Sequence, residues 1–154
     1  MNIALIKRMM DACYQAKRAR ELLPELPKGV SSSYIHYLDT IEGLERQGVR
    51  VKVSDISDAL SDVLNIPRPG VTRTIKEMEK KGLVQKISSP DDGRVTYLTV
   101  TESGKRLSGT FNGQVFAQLA PLLEDVPDED VACTIRTVQK LYTAMSERRI
   151  SLEY

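Results

Sequence analysis

A single histidine, His36, and two cysteines, Cys13 and Cys133, are all that this 154-residue chain offers to the commonest nucleophilic and metal-binding chemistries. Two cysteines so far apart make neither a disulfide framework nor a zinc-ligand spacing. A Ser-His-Asp or Cys-His arrangement would have to be built on His36, two residues from Tyr34 in an ordinary helical segment, and no glycine-rich phosphate loop is present. These absences argue against an enzyme, and no cofactor or metal is expected. No run of about 18 apolar residues occurs, so no membrane-spanning helix is expected. The first apolar run, Ile3 to Ile6, meets Lys7 and Arg8 too soon for a signal peptide, which makes the cytoplasm the expected location.

What is present suits a soluble, globular chain. Hydrophobic residues make up 41% and charged residues 28%, enough for one well-packed core or a small domain with an appendage. Net charge is only +1, but it is unevenly spread. Between Leu64 and Ser89 stand Arg68, Arg73, Lys76, Lys80, Lys81 and Lys86 against Glu77 and Glu79, while Glu124, Asp125, Asp128, Glu129 and Asp130 cluster near the C-terminus. A local basic face is what a phosphate backbone selects.

The stretch from Ser54 to Leu98 organises the rest. Ser54 to Leu64 reads as a helix through Ile56, Leu60, Val63 and Leu64, with Ser54 and Ser57 as competing N-caps. Asp55, Asp58 and Asp62 form an acidic edge on it, read as a solvated face rather than a metal site. A second helix runs from Arg68 to Gly82, with Val71, Ile75 and Met78 on one face. Pro67 and Pro69 suit its start, and Lys80-Lys81-Gly82 suits its end. Strand-like runs, Leu83 to Ser88 and Val95 to Val100, flank the turn Pro90-Asp91-Asp92-Gly93-Arg94. That order is the plan of a winged helix-turn-helix.

Around this centre, Asn2 to about Leu23 predicts a helix with Ile6, Met9, Met10, Cys13 and Ala16 on one side. Pro24, Pro27 and Gly29 break it, and Ser31 to Ser33 offer N-caps for a helix carrying Ile35, Leu38, Ile41 and Leu44 that ends at Gly48. Val49, Val51 and Val53 alternate with cations, the pattern of a short strand able to pair only with the wing. Thr101 opens a long helix through Leu107, Phe111, Val115, Leu119 and Leu122, in which Gly109 and Gly113 permit close approach of another helix and Pro121 forces a bend or an end. Asp128 to Asp130 begin a last helix bearing Val131, Ile135, Val138, Leu141, Tyr142 and Met145, and the segment from Arg148 to Tyr154 is expected to fray.

The runs Asn65 to Ile75, Glu79-Lys80-Lys81-Gly82-Leu83-Val84, Asp91-Asp92-Gly93-Arg94 and Leu98 to Gly104 together resemble the MarR family of bacterial transcription regulators. The likeness is specific from about Ser54 to Leu107 and architectural elsewhere. It implies a mainly α fold with a small antiparallel β-wing. The winged helix-turn-helix would occupy residues 31–100, and the N- and C-terminal helices, 1–30 and 101–154, would form a helical dimerisation region.

The implied function is a homodimeric regulator, expected to be a repressor, on a pseudo-palindromic double-stranded operator. Its two recognition helices would lie about 34–36 Å apart. Arg68, Pro69, Thr72, Arg73 and Lys76 face outward in the N-terminal half of the recognition helix, the half that reaches base edges in the major groove. By resemblance, Asp92 and Arg94 take the wing's Asp and Arg positions, with the Asp orienting an Arg aimed at the minor groove, although family wings commonly carry a second Arg where Gly93 stands. The resemblance also implies release by a small aromatic or phenolic effector, or by an oxidant acting on Cys13 beside Tyr34 and Tyr37. A buried Cys with no sensing role is the alternative reading of Cys13. The alternative function is a winged-helix interaction module whose basic helix binds an acidic protein partner.

Overall fold

Two helices end on the same device, and these ends set the frame of the domain. The computed structural model describes residues 1–64 and 66–153, excepting the side chains of 62–64. The expectations placed on Asp62, Val63, Leu64, Asn65 and Tyr154 therefore lie outside the described residues. Helices α2 (Ser33–Arg46) and α4 (Arg68–Lys80) each run into a glycine of positive φ, Gly48 at 79° and Gly82 at 70°. The Gly82 and Leu83 N–H groups donate back to the Glu79 and Met78 carbonyls, both at 2.9 Å, and Gly48 and Val49 do the same to Glu45 and Leu44. This paired closure needs a left-handed residue, which a Cβ would strain. After α4 it also drops Leu83 into the core.

The chain forms two compact units, one from Met1 to Val115 and one beginning at Phe116. In the first, α1 (Ile3–Glu21) is capped by Asn2, whose side chain accepts the Leu5 N–H at 2.8 Å. Helix α3 (Val53–Leu64) precedes α4, followed by β1 (Val84–Ser88), β2 (Thr96–Val100) and α5 (Glu102–Phe111). The strands pair antiparallel from Val84 with Val100 to Ser88 with Thr96. One core joins Tyr34, Tyr37, Leu38 and Ile41 of α2, Ile56 and Leu60 of α3, Val71, Ile75 and Met78 of α4, and Val84, Leu98 and Val100 of the sheet. The face predicted for α4 is the face buried.

The valine alternation before α3 does not make a strand. Val51 meets the wing through its carbonyl, which accepts the Leu98 N–H at 2.7 Å, and Arg50 lies over the Tyr97 ring, while the Val49 side chain is exposed. Val53 instead opens α3, because the Asp55 carboxylate takes the Lys52 N–H at 2.8 Å and so fixes the helix start one residue earlier than Ser54. Neither Ser54 nor Ser57 supplies a cap; Ser57 is buried.

Beyond α5 the long helix is not uniform. A π-helical turn occupies Asn112–Phe116, followed in the second unit by α6 (Ala117–Leu119), a 3₁₀ turn (Ala120–Leu123) and α7 (Asp128–Glu147). Pro121 has no N–H to continue an α ladder, and the chain tightens around it. A Cβ on Gly109 or Gly113 would meet nothing within 4 Å, so among the described residues no helix uses the close approach they permit. Helix α1 buries no residue, and on α7 the stripe Val131, Ile135, Val138, Tyr142 and Met145 stays 42–52% exposed.

Candidate nucleic-acid interface

Burial of Val71, Ile75 and Met78, each at most 1% exposed, fixes the rotation of α4. Pro67, in extended conformation, caps its start, and Pro69 lies in the first turn, where missing N–H groups cost nothing. Arg68, Pro69, Thr72, Arg73 and Lys76 are consequently all exposed, as expected. The Thr72 hydroxyl donates to the Arg68 carbonyl at 3.3 Å, which leaves its oxygen able to accept a further hydrogen bond.

The electrostatics follow from where the carboxylates go. Glu77 accepts the Tyr34 hydroxyl of α2 at 3.2 Å, and Glu79 pairs with Lys86 of β1 at 3.1 Å. Both anions of α4 are thus engaged on its flanks. Among the described residues, Arg73, Lys76, Lys80 and Lys81 have no carboxylate partner. Arg68 differs: its guanidinium donates to Asp58 of α3 at 2.6 Å. The acidic edge of α3 is therefore more than a solvated face, since Asp55 caps the helix and Asp58 holds an arginine.

The turn between the strands is built on Ser89. Its buried hydroxyl accepts the N–H groups of Asp91 and Asp92, and its own N–H donates to the Val95 carbonyl at 2.9 Å. Asp92 accepts both the Arg94 N–H at 3.0 Å and the Arg94 Nε at 3.2 Å, yet the Arg94 side chain remains 93% exposed. The carboxylate holds the guanidinium by its Nε edge, while the side chain as a whole stays open to solvent. The two strands bring Asp92 and Arg94 together as the wing reading expects, and Gly93 has open space around it.

One joint gives no signal in the sequence. Thr101 donates its hydroxyl to the Gly82 carbonyl at 2.5 Å and its N–H to the Leu83 carbonyl at 3.1 Å, while its Oγ1 caps α5 by accepting the Gly104 N–H. The C-terminal end of α4 and the N-terminal end of α5 are therefore one hydrogen-bonded knot. Gly104 is required by it: a Cβ there would lie 2.2 Å from the Leu83 carbonyl oxygen and 2.6 Å from Val100 Cγ1. In sequence Gly104 shows as the end of the run Leu98 to Gly104 and as a poor helix former, and neither signal reveals this contact.

The residues proposed for sensing are less closely gathered. Cys13 is a half-buried free thiol on α1, whereas Tyr34 and Tyr37 are buried in the core of the winged domain. The hydroxyl of Tyr34 is engaged by Glu77, and burial together with that carboxylate raises its pKa above the usual tyrosine value. The Tyr37 hydroxyl is enclosed without a hydrogen-bond partner among the described residues. Neighbouring polar groups join α2 to α5 and the turn after it: Ser108 donates to Glu42 at 3.2 Å and Asn112 to Asp39 at 2.7 Å. His36 has its pKa lowered, chiefly by burial and then by Arg20, with Asp39 opposing. Among the described residues no group of His, Cys, Asp and Glu is arranged to hold a metal, and no helix is long and apolar enough to cross a membrane.

Buried apolar face, outward cations, projecting arginine and two-stranded hairpin define a winged helix-turn-helix. Residues 28–95 match the model of the MarR family. An uncharacterised HTH-type transcriptional regulator of Bacillus subtilis, YdgG, is 22% identical over 102 residues, and the HTH-type transcriptional regulator BilQ of Clostridioides difficile is 26% identical over 96. These matches take in 65% and 58% of this chain, and span 64% of each relative's length. The fold resembles that of Streptococcus pneumoniae FabT, solved in complex with DNA, with a TM-score of 0.66 at 19% identity over 95% of this chain and 99% of that one. The likeness to the MarR family thus rests on the winged helix-turn-helix segment, residues 28–95, which is less than half of the chain.

Proposed function

We propose that the protein is a sequence-specific, double-stranded-DNA-binding repressor that acts as a homodimer in the cytoplasm. In this reading α4 lies in the major groove and the Asp92–Arg94 turn in the minor groove. The observation that carries it is the outward half of α4, where Arg73 and Lys76 have no carboxylate partner among the described residues while both glutamates of the helix are engaged elsewhere. Arg68 and Arg73 suit bidentate contact with guanine, Thr72 suits a thymine methyl or a phosphate, and Lys76 acts as a point charge on phosphate. The complex of the similarly folded FabT with DNA supports the same use of the fold.

Dimerisation is proposed through residues 1–30 and 101–154. The exposed apolar stripes of α1 and α7 need a cover, and Gly109 and Gly113 leave room for a helix of a second copy. A small aromatic or phenolic effector, or an oxidant acting on Cys13 with Tyr34 and Tyr37 as its partners, would release DNA by favouring a dimer whose recognition helices no longer match one helical turn. Selection from a random duplex pool tests this reading. It should enrich an inverted repeat with half-site centres about 10 base pairs apart. A pool that enriches nothing, with binding instead to an acidic protein, would replace the DNA reading with an interaction module.

A further inference from the structure

The cations of the interface fall into two kinds. Arg73 and Lys76 are exposed with no carboxylate partner among the described residues, whereas Arg68 is held by Asp58 at 2.6 Å. The pair is open to solvent, its side chains 67% and 65% exposed, so it adds little to folding. It also cancels a positive charge at the end of α4 that would reach bases, which is costly for a surface meant only to attract phosphate. A neutral pair gains little from counterion release, the source of non-specific affinity. What it retains is direction. A carboxylate on one guanidinium nitrogen draws the fork towards α3, narrows the positions it samples and leaves the remaining N–H groups available to a base.

We infer that Asp58 is a positioning residue for DNA recognition: it holds the Arg68 guanidinium as a base reader and keeps it from acting as a mobile phosphate ligand. The inference rests on the DNA-binding reading above. It divides the labour of the interface, with Arg73 and Lys76 anchoring the helix to any duplex and the Asp58–Arg68 pair contributing discrimination between sequences. Asp58 stands on α3, ten residues before Arg68, and carries out this role without itself touching DNA.

The test compares the full-length protein with its Asp58→Asn, Arg68→Ala and doubly substituted forms on the duplex enriched by selection and on random duplex, by fluorescence anisotropy across a salt series. Asp58→Asn should leave the melting temperature unchanged and tighten random-duplex binding with a log–log salt slope steeper by about two in the dimer, because one Arg68 in each protomer is freed for phosphate. It should also lower the enriched-to-random affinity ratio about tenfold, the scale of one bidentate base interaction. In the Arg68→Ala background the same substitution should leave that ratio where Arg68→Ala puts it. An unchanged ratio in Asp58→Asn, or an equal loss with and without Arg68, overturns the assignment of Asp58. Failure of the unsubstituted protein to prefer any duplex removes the DNA reading itself, and the two failures are seen in different arms.

Discussion

Replacing Gly104 by alanine places one methyl group against the joint between α4 and α5. The added Cβ would sit 2.2 Å from the Leu83 carbonyl oxygen, 2.6 Å from Val100 Cγ1 and 3.2 Å from Leu38 Cδ2. The first neighbour is backbone, and that carbonyl already accepts the Thr101 N–H, so it cannot retreat without breaking the joint. Alanine gains about 1 kcal/mol of helix propensity over glycine. Overpacking against a fixed partner costs about 1–3 kcal/mol and more where backbone must move. The distances here are short enough to place the cost at or above the upper end, leaving a net loss of about 2 kcal/mol or more. Gly43→Ala is the matched control, since it lies within α2 and its Cβ would meet only the end of Arg46 at 4.0 Å; it should stabilise by up to about 1 kcal/mol. Chemical denaturation of both variants at one protein concentration measures the difference. Equal stability of the two variants, or stabilisation by Gly104→Ala, would refute the packing argument.

Two further outcomes concern single side chains. Thr101→Val keeps the shape but removes both the α5 cap and the bond to the Gly82 carbonyl, and should cost about 1–2 kcal/mol in denaturant unfolding. His36 is held below its ordinary pKa in the folded chain, so the unfolded chain binds the proton first as pH falls. Stability should therefore be unaffected by this group above about pH 6.5 and should decline as pH drops below it. Thermal melts between pH 7 and 5.5 should show a shallower decline for His36→Asn, and identical slopes would show that His36 contributes nothing.

Much of the fold is legible in the sequence because its signals are local. The span of α4 follows from two prolines, a three-residue apolar face and Lys80-Lys81-Gly82, and the wing from two strand-like runs around a Pro-Asp-Asp-Gly turn. What the sequence hides depends on hydrogen-bond partners or on residues distant in the chain. The valine alternation looks like a strand because period two describes side chains, whereas Asp55 captures the Lys52 N–H and commits Val53 to α3. Gly104 looks like a defect because its reason is a carbonyl 21 residues earlier, that of Leu83. Asp58 looks like one of three solvated acids because nothing in its spacing reveals that Arg68 turns back to meet it. In the candidate site, the outward face of α4 is legible from helical period alone, but which cations are free and which are held is not.

The function proposed for this protein requires α4 to meet phosphate and bases. The most direct measurement is the salt dependence of binding to random-sequence duplex for the intact protein and for Arg73→Ala/Lys76→Ala. Each phosphate left without its cation should lower the log–log slope by about 0.9, so the double substitution in a dimer should flatten it by about 3 to 4 and weaken binding at every salt concentration. Steep salt dependence in the intact protein that survives the substitution unchanged, or no binding at low salt by either form, would contradict the assignment of this helix.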